Sequence, residues 1–278
     1  MAQPHPALAP GNVAVVTGGA SGIGLAAARR FAELELAVCL ADQNEAELRA
    51  AAAELGGKAI AVPTDVSDRG SVEALAAAVA ARLGPVSVLM NNAGVGGGGD
   101  ALSSPDGWAR VLGTNLFGVL HGVQAFVPAM VERGAPGLVV NTGSKQGITS
   151  PPGDTAYNVS KAGVKALTEG LAHTLRNVPG CRVTAHLLVP GFTWTGMMRR
   201  LPQRPPGAWG PEQVVERMLE GVARGAFYLW CEDNETTRAI DEKRVLWSAL
   251  DIVEDRPALS RWHADWKKAF DRFMEGER

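Results

Sequence analysis

The stretch Asn12-Val-Ala-Val-Val-Thr17-Gly18-Gly-Ala-Ser-Gly22-Ile-Gly24 decides the fold. A short apolar run ends in a glycine-rich turn, and a helix-like segment follows to about residue 34. Such a strand–turn–helix brings backbone without Cβ atoms to a helix N-terminus. There, free N–H groups and the helix dipole suit a pyrophosphate. The spacing is G-x3-G-x-G rather than the more widespread G-x-G-x-x-G. A tight strand-to-helix turn also favours glycine. The strand before and an acid after tip the reading towards phosphate, with Gly18, Ser21, Gly22, Ile23 and Gly24 as the expected binding positions.

That acid is Asp42, which ends the next apolar run, 36–41, at about the distance (~20 residues) expected of a carboxylate on a ribose 2′-hydroxyl. A carboxylate there repels a 2′-phosphate, and no Arg or Lys lies in 17–24 or directly after Asp42, so NAD is expected rather than NADP. The alternative is that Asp42 only caps the helix pattern at 43–55. Further strand-like runs at 58–62, 86–90, 138–142, 182–189 and 227–231 alternate with helix patterns at 68–83, 105–133, 154–178 and 211–224. Asp65 and Val66 follow the third run, where Asp65 either faces an adenine or caps its loop. This alternation predicts an α/β fold with a parallel sheet covered on both faces. Right-handed crossovers make the sheet doubly wound, and its ligands bind outside the carboxyl ends of the strands. Residues 18–24, Asp42, 91–94 and Ser144 all follow strand-like runs, so they collect on one edge.

Tyr157 and Lys161 lie four apart on the 154–178 helix, which Asp154 and Thr155 open as cap signals. They therefore share a face. A phenol loses its proton near pH ~10, and a neighbouring ammonium lowers that value, making Tyr157 a candidate general base. Ser144 follows the fifth strand and is placed to hold the oxygen of an alcohol or carbonyl beside that phenol. A Tyr-x3-Lys spacing alone is also what a solvated Lys beside a half-buried Tyr produces.

The chain has 278 residues, is 46% hydrophobic and carries a net charge of -2, enough for one large domain and without a basic or acidic block. Nucleic acid and anionic membranes gain no support as partners. Cys39, Cys181 and Cys231 are widely spaced and read as buried thiols of a reducing, cytoplasmic compartment. No His, Cys and carboxylate cluster suggests a metal, and no run is read as long enough to span a membrane. The proline-rich residues 1–10 read as a loose tail.

With these residues assembled, the chain resembles the classical short-chain dehydrogenase/reductase family. Thr17-Gly18-x3-Gly22-x-Gly24 matches its glycine pattern, Asn91-Asn92-Ala93-Gly94 its NNAG element, and Ser144, Tyr157 and Lys161 its catalytic set. Asn115 falls at its active-site Asn, Pro190-Gly191 at its PG, and Thr195, with Thr193, near its nicotinamide amide. Gly143 stands where many members have a second Ser. The resemblance implies a Rossmann-type sheet of about seven strands in a single domain, 11–231, and usually a homo-oligomer, dimer or tetramer. It implies hydride transfer between a nicotinamide and a carbonyl or alcohol carbon. Tyr157 would be acid and base, Lys161 would bind ribose and lower the phenol pKa, Ser144 would hold substrate, and Asn115 would anchor a relay water. Asn92, Ala93, Gly94, Pro190 and Gly191 would line the cofactor.

Beyond Gly191 the resemblance thins. Residues 192–210 read as a mobile lid, in which Phe192, Trp194, Met197 and Met198, with Gln146, would meet a hydrophobic or aromatic alcohol or ketone; ordinary packing explains the same residues equally well. Residues 232–278 read as a helical extension whose Trp247, Trp262, Trp266 and Phe270 pack on the body or on another subunit, with His263 structural. An NADPH-dependent carbonyl reductase, a non-catalytic dinucleotide-binding protein, and an epimerase or dehydratase on the same fold are the alternatives.

Overall fold

The computed structural model describes residues 3–57, 59–198 and 201–276. Seven parallel strands form one sheet: β1 (Val13–Thr17), β2 (Ala37–Asp42), β3 (Ile60–Pro63), β4 (Val86–Asn91), β5 (Gly137–Thr142), β6 (Val183–Val189) and β7 (Tyr228–Trp230), in the order β3-β2-β1-β4-β5-β6-β7. Lys58, the expected start of the third strand, lies outside the described residues. β1, β5 and almost all of β2 are buried along their length, as expected of strands covered on both faces. β3 is a partly exposed edge ending in Pro63, where a missing N–H is tolerated.

One face carries α1 (Gly22–Glu33), α2 (Glu45–Leu55) and α8 (Pro211–Ala223), through Phe31, Leu48, Val214 and Met218. The other carries α3 (Arg69–Arg82), α5 (Gly118–Glu132) and α7 (Thr155–Arg176), through Leu75, Phe126, Met130 and Leu175. Each fully buried Leu or Phe side chain contributes roughly 1.5–3 kcal/mol. The strand order reverses between β1 and β4, which opens a crevice at their carboxyl ends.

α4 (Pro105–Leu112), a π-helical turn (Gly113–Phe117) and α5 run on as one helix. Against the sequence reading, Pro105–Glu132 is long and apolar enough to cross a membrane by length and composition. Its apolarity has another cause: Val119, Val123, Phe126, Val127 and Met130 are buried against the sheet.

The N-terminal segment also departs from the loose tail expected. Pro6–Leu8 forms a 3-10 turn with Ala7 and Leu8 buried in the core, and His5 Nε2 lies 3.3 Å from Thr184 Oγ1. Two small apolar side chains fill the end of the sheet, and Pro6 gives up an N–H that the first turn does not need. After β7 come α9 (Arg238–Val253) and α10 (Lys267–Glu275), preceded by the short helix α6 (Gln146–Thr149) earlier in the chain. The extension folds around Trp247, which is buried, donates to Ser260 Oγ at 2.7 Å and packs edge-on against Trp266, Phe270 and Phe273. Arg256 lies over both Trp247 and Trp266, whereas Trp262 remains 38% exposed. His263 Nδ1 accepts from the Asp265 amide, a local capping bond.

Candidate active site

A cleft of about 920 Å³ opens where the strands end. Gly18 and Gly22 take positive φ (63° and 53°) to turn the chain from β1 into α1. A Cβ on Gly18 would sit 2.8 Å from Ala93 Cα, so the turn and the 91–94 segment approach as only glycine permits. Gly24 lies beneath the turn: its Cβ would strike the Gly18 carbonyl at 2.1 Å. It lets α1 pack closely and does not itself line the cleft. Ser21 is the N-cap of α1 but makes no side-chain cap bond, and the first turn holds no acid, so its amides and dipole face the cleft without a side-chain anion.

Asp42 Oδ2 accepts from the Ala20 amide at 3.2 Å and Oδ1 from the Asn44 amide at 3.0 Å. The N-cap of α2 is Asn44, which accepts from Glu47 N, so Asp42 does not occupy the cap position of that helix. Each carboxylate oxygen keeps a further lone pair for a ligand hydroxyl. Asp65 Oδ1 accepts from the amide and hydroxyl of Ser67, the loop-capping option, while Asp65 and Val66 also line the cleft. Asn92 Nδ2 donates to the carbonyls of Thr17 and Gly18, and Asn92 Oδ1 accepts from Thr142 Oγ1. This side chain fastens the ends of β1, β4 and β5 together.

α7 begins at Asp154, whose Oδ1 accepts from the Tyr157 amide at 3.2 Å. Its Oδ2 accepts from Gly97 N at 2.7 Å and so ties the glycine-rich loop to the same helix end. Lys161 is 4% exposed, and its Nζ donates to the Thr142 carbonyl at 2.8 Å. Burial lowers its pKa from 10.5 to about 8. Its Nζ lies 5.7 Å from the Tyr157 ring centroid. The sequence reading expected this ammonium to pull the phenol down. In the structure burial pushes Tyr157 above its ordinary value, a hydrogen bond with the Ser144 hydroxyl opposes this, and Asp154 adds to the rise. Four-residue spacing put the two residues on one face, but the ammonium is directed at the Thr142 carbonyl.

Asn115, in the π-helical turn, is fully buried. Its Oδ1 accepts from Val95 N, and its Nδ2 donates to Val95 O and Ser160 Oγ, all within 3.0 Å. The side chain fixes the loop after β4 to the long helix and α7 and does not itself line the cleft. Single π-type turns often occur at functional sites.

Ser21, Gly22, Ile23, Asp42, Ala93, Gly94, Tyr157, Lys161, Pro190, Gly191, Thr193 and Thr195 meet on the cleft wall. Ser144, Gln146, Phe192, Met197 and Met198 line the same cleft, with the Ser144 hydroxyl hydrogen-bonded to Tyr157. Trp194 does not line the cleft. Its segment is fixed by Trp194 N donating to Trp209 O and Trp209 N to Phe192 O, both at 2.8 Å, which sets where the indole goes. The sequence reading missed Asp154, Lys145, Arg110 and Thr114, which also line it. Asp154 was visible only as a cap signal, and the others carried no motif. Among the described residues no group of three or more His, Cys, Asp and Glu is placed to hold a metal.

The donors and glycine cradle fit a dinucleotide: amides at the α1 N-terminus for phosphates, and Asp42 across the turn for a ribose diol. Comparison with known proteins agrees. The short chain dehydrogenase family matches residues 12–206. The chain is 34% identical over 263 residues to 1-deoxy-11-beta-hydroxypentalenate dehydrogenase of Streptomyces arenae, covering 90% of this chain and 93% of that protein. It is 40% identical over 199 residues to galactitol 2-dehydrogenase (L-tagatose-forming) of Cereibacter sphaeroides, covering 70% and 76%. A short-chain dehydrogenase/reductase from Burkholderia phymatum, solved in complex with NAD, superposes with a TM-score of 0.80 at 36% identity, covering 89% of this chain and 96% of that one. The protein is a classical member of the short-chain dehydrogenase/reductase family and an oxidoreductase of alcohol or ketone substrates.

Proposed function

We propose that the protein is an NAD(H)-dependent oxidoreductase that interconverts a hydrophobic or aromatic secondary alcohol and its ketone. The observation that carries this reading is the convergence of Ser144, Tyr157 and Lys161 on one cleft with the glycine turn and Asp42. A bound nicotinamide would supply or accept the hydride. Ser144 holds the substrate oxygen against the Tyr157 phenol, which gives or takes the proton there. Lys161 anchors the ribose and, through the Thr142 carbonyl, stays fixed under the phenol. A phenol held above its ordinary pKa is protonated at neutral pH and suits the role of acid in ketone reduction.

Support for NAD over NADP is the carboxylate of Asp42 at the turn. Phe192, Met197 and Met198 place apolar side chains on the cleft lining, which favours an apolar substrate. Residues 192–210, of which Arg199 and Arg200 lie outside the described residues, act as the lid: the Thr193–Trp209 bridge closes its base, and Met197 and Leu201 stand exposed. Phe117 and Val159, exposed at 48% and 43% beside one another's helices, support a homo-oligomer, dimer or tetramer.

The test is a fluorescence titration with NADH and NADPH against Asp42→Ala, followed by a panel of cyclohexanol, benzhydrol and α-tetralol with NAD and the matching ketones with NADH. A preference for NADH that the substitution abolishes, followed by turnover, supports the reading. Equal or tighter NADPH binding removes the Asp42 argument. Cofactor binding without turnover across a broadened panel favours a non-catalytic dinucleotide-binding protein.

A further inference from the structure

The turn that carries Ser144 is held by a part of the chain beyond residues 12–206, the region shared with the family. Lys145, the next residue, is mostly buried, and its ammonium lies 2.5 Å from Asp241 Oδ2 and 3.4 Å from Asp233 Oδ2. Asp233 follows β7, and Asp241 sits in the first turn of α9. Asp241 is 3% exposed; its Oδ2 also accepts from Trp230 Nε1 at 2.9 Å, and Arg244 Nη1 lies 3.9 Å from its Oδ1. Asp233 Oδ1 accepts from the amides of Glu235 and Thr236. The Lys145 stem crosses Gly191, where a Cβ would lie 2.9 Å from Nζ and 3.0 Å from Cε. Gly191 is therefore a glycine that the lysine needs as well as a lining residue of the cleft.

Buried charges are costly unless they are paired and hydrogen-bonded, and such pairs have narrow geometry. Here one pair joins the extension to the backbone on either side of the cleft's reacting end. The Lys145 amide donates to the Pro190 carbonyl at 3.2 Å, and the Gly143 amide to the Leu188 carbonyl at 2.7 Å. The ion cluster, its three side chains all mostly buried, joins this frame to β7 and α9. We propose that Lys145, Asp241 and Asp233 form a strut through which the C-terminal extension positions Ser144 and the Pro190-Gly191 turn. Lys145 and Asp241 are thus positioning residues of the oxidoreductase reading given above, on which the catalytic part of this inference rests.

Asp241→Asn keeps the shape and the acceptor for Trp230 while removing the charge. Hydrogen exchange followed by mass spectrometry is expected to become about tenfold or more faster at 143–149, with 13–17 and 22–33 unchanged. NADH affinity stays within about twofold, while kcat on the alcohol turned over from the panel falls roughly tenfold or more with KM little changed. Asp241→Glu restores part of the loss. Asp233→Asn, which removes the more distant acid, gives the same pattern at smaller size and serves if Asp241→Asn fails to fold. Arg238→Ala weakens the stacking of α9 on Trp230 without touching Lys145 and leaves all three readouts unchanged. Wild-type exchange at 143–149 and wild-type kcat in both Asn variants overturn the proposal. So does exchange that rises equally throughout the chain. If the wild type turns over no alcohol yet the exchange response is local as described, the strut stands and the oxidoreductase substrate reading falls.

Discussion

Replacing Lys161 with Met should abolish turnover and yet make the protein more stable at neutral pH. The ammonium is 4% exposed, has one hydrogen bond, to the Thr142 carbonyl, and its pKa is lowered by burial from 10.5 to about 8. That depression means the folded state resists the charge by about 3 kcal/mol relative to the unfolded chain. Met removes this cost and gives up one hydrogen bond, worth about 1 kcal/mol, so the net gain is about 2 kcal/mol. The sign with pH follows from proton binding. Between pH 8 and 10.5 the unfolded lysine holds a proton that the folded one has shed, so the contribution of Lys161 to wild-type stability rises with pH there. From pH 8 to 9 the rise is about 1 kcal/mol, and Lys161→Met lacks it. The Cys39 and Cys231 thiols, pushed up to about 12 by burial, act in the opposite direction from about pH 8 upwards but equally in both proteins, so the comparison is of the two slopes. Urea unfolding at pH 7, 8 and 9 reads all of this directly. A variant less stable than wild type at pH 7, or one with the same slope between pH 8 and 9, would refute the account of Lys161 as a strained buried charge.

Other outcomes are equally definite. Tyr157→Phe should lower kcat about 10²- to 10⁴-fold with NADH binding retained, read by stopped-flow turnover and titration; a loss under tenfold would remove Tyr157 as the acid. Because burial holds the phenol above its ordinary value, alcohol oxidation should keep rising through pH 9 while ketone reduction stays flat near neutrality, and an oxidation plateau already reached at pH 7 would contradict this. Asp42→Ala should weaken NADH binding about tenfold, the loss of a charged hydrogen bond, and leave NADPH unchanged or improved. Trp247→Ala, which empties the centre of the extension, should cost about 3–5 kcal/mol of its local stability by hydrogen exchange over 238–275, with β1 unaffected. Gel filtration of a chain ending at Cys231 tests whether the extension contributes to assembly; an unchanged elution state removes that role.

Much of the site was readable because its residues sit at the ends of strands that alternate with helices. The turn at Gly18 and Gly22, the acid at Asp42, the position of 91–94 after its strand and the shared face of Tyr157 and Lys161 each follow from local spacing and from the parallel sheet that gathers strand ends together, whereas the bonds by which Asn92 fastens three strand ends do not. Asp154 was legible as a helix cap, because capping is local chemistry, but its second bond to Gly97 was not. Trp194 shows the limit: an aromatic residue near the site suggests contact, whereas the pairing of its backbone with Trp209 decides which way it points. Ala7 and Leu8 were hidden by proline-rich surroundings that resemble a free tail.

Periodicity and short-range spacing were enough for the alternation, the sheet and the edge on which the candidate ligand groups gather; the candidate reacting side chains came from the family resemblance, since a Tyr-x3-Lys spacing alone is ambiguous. Only the tertiary structure decided the electrostatic state of Tyr157, because burial depends on everything packed around the ring. It alone joined Lys145 to Asp233 and Asp241, and Gly191 to the lysine stem that crosses it. Contacts between residues so distant along the chain leave no periodic trace; they exist because desolvated charges must find partners wherever the fold brings them.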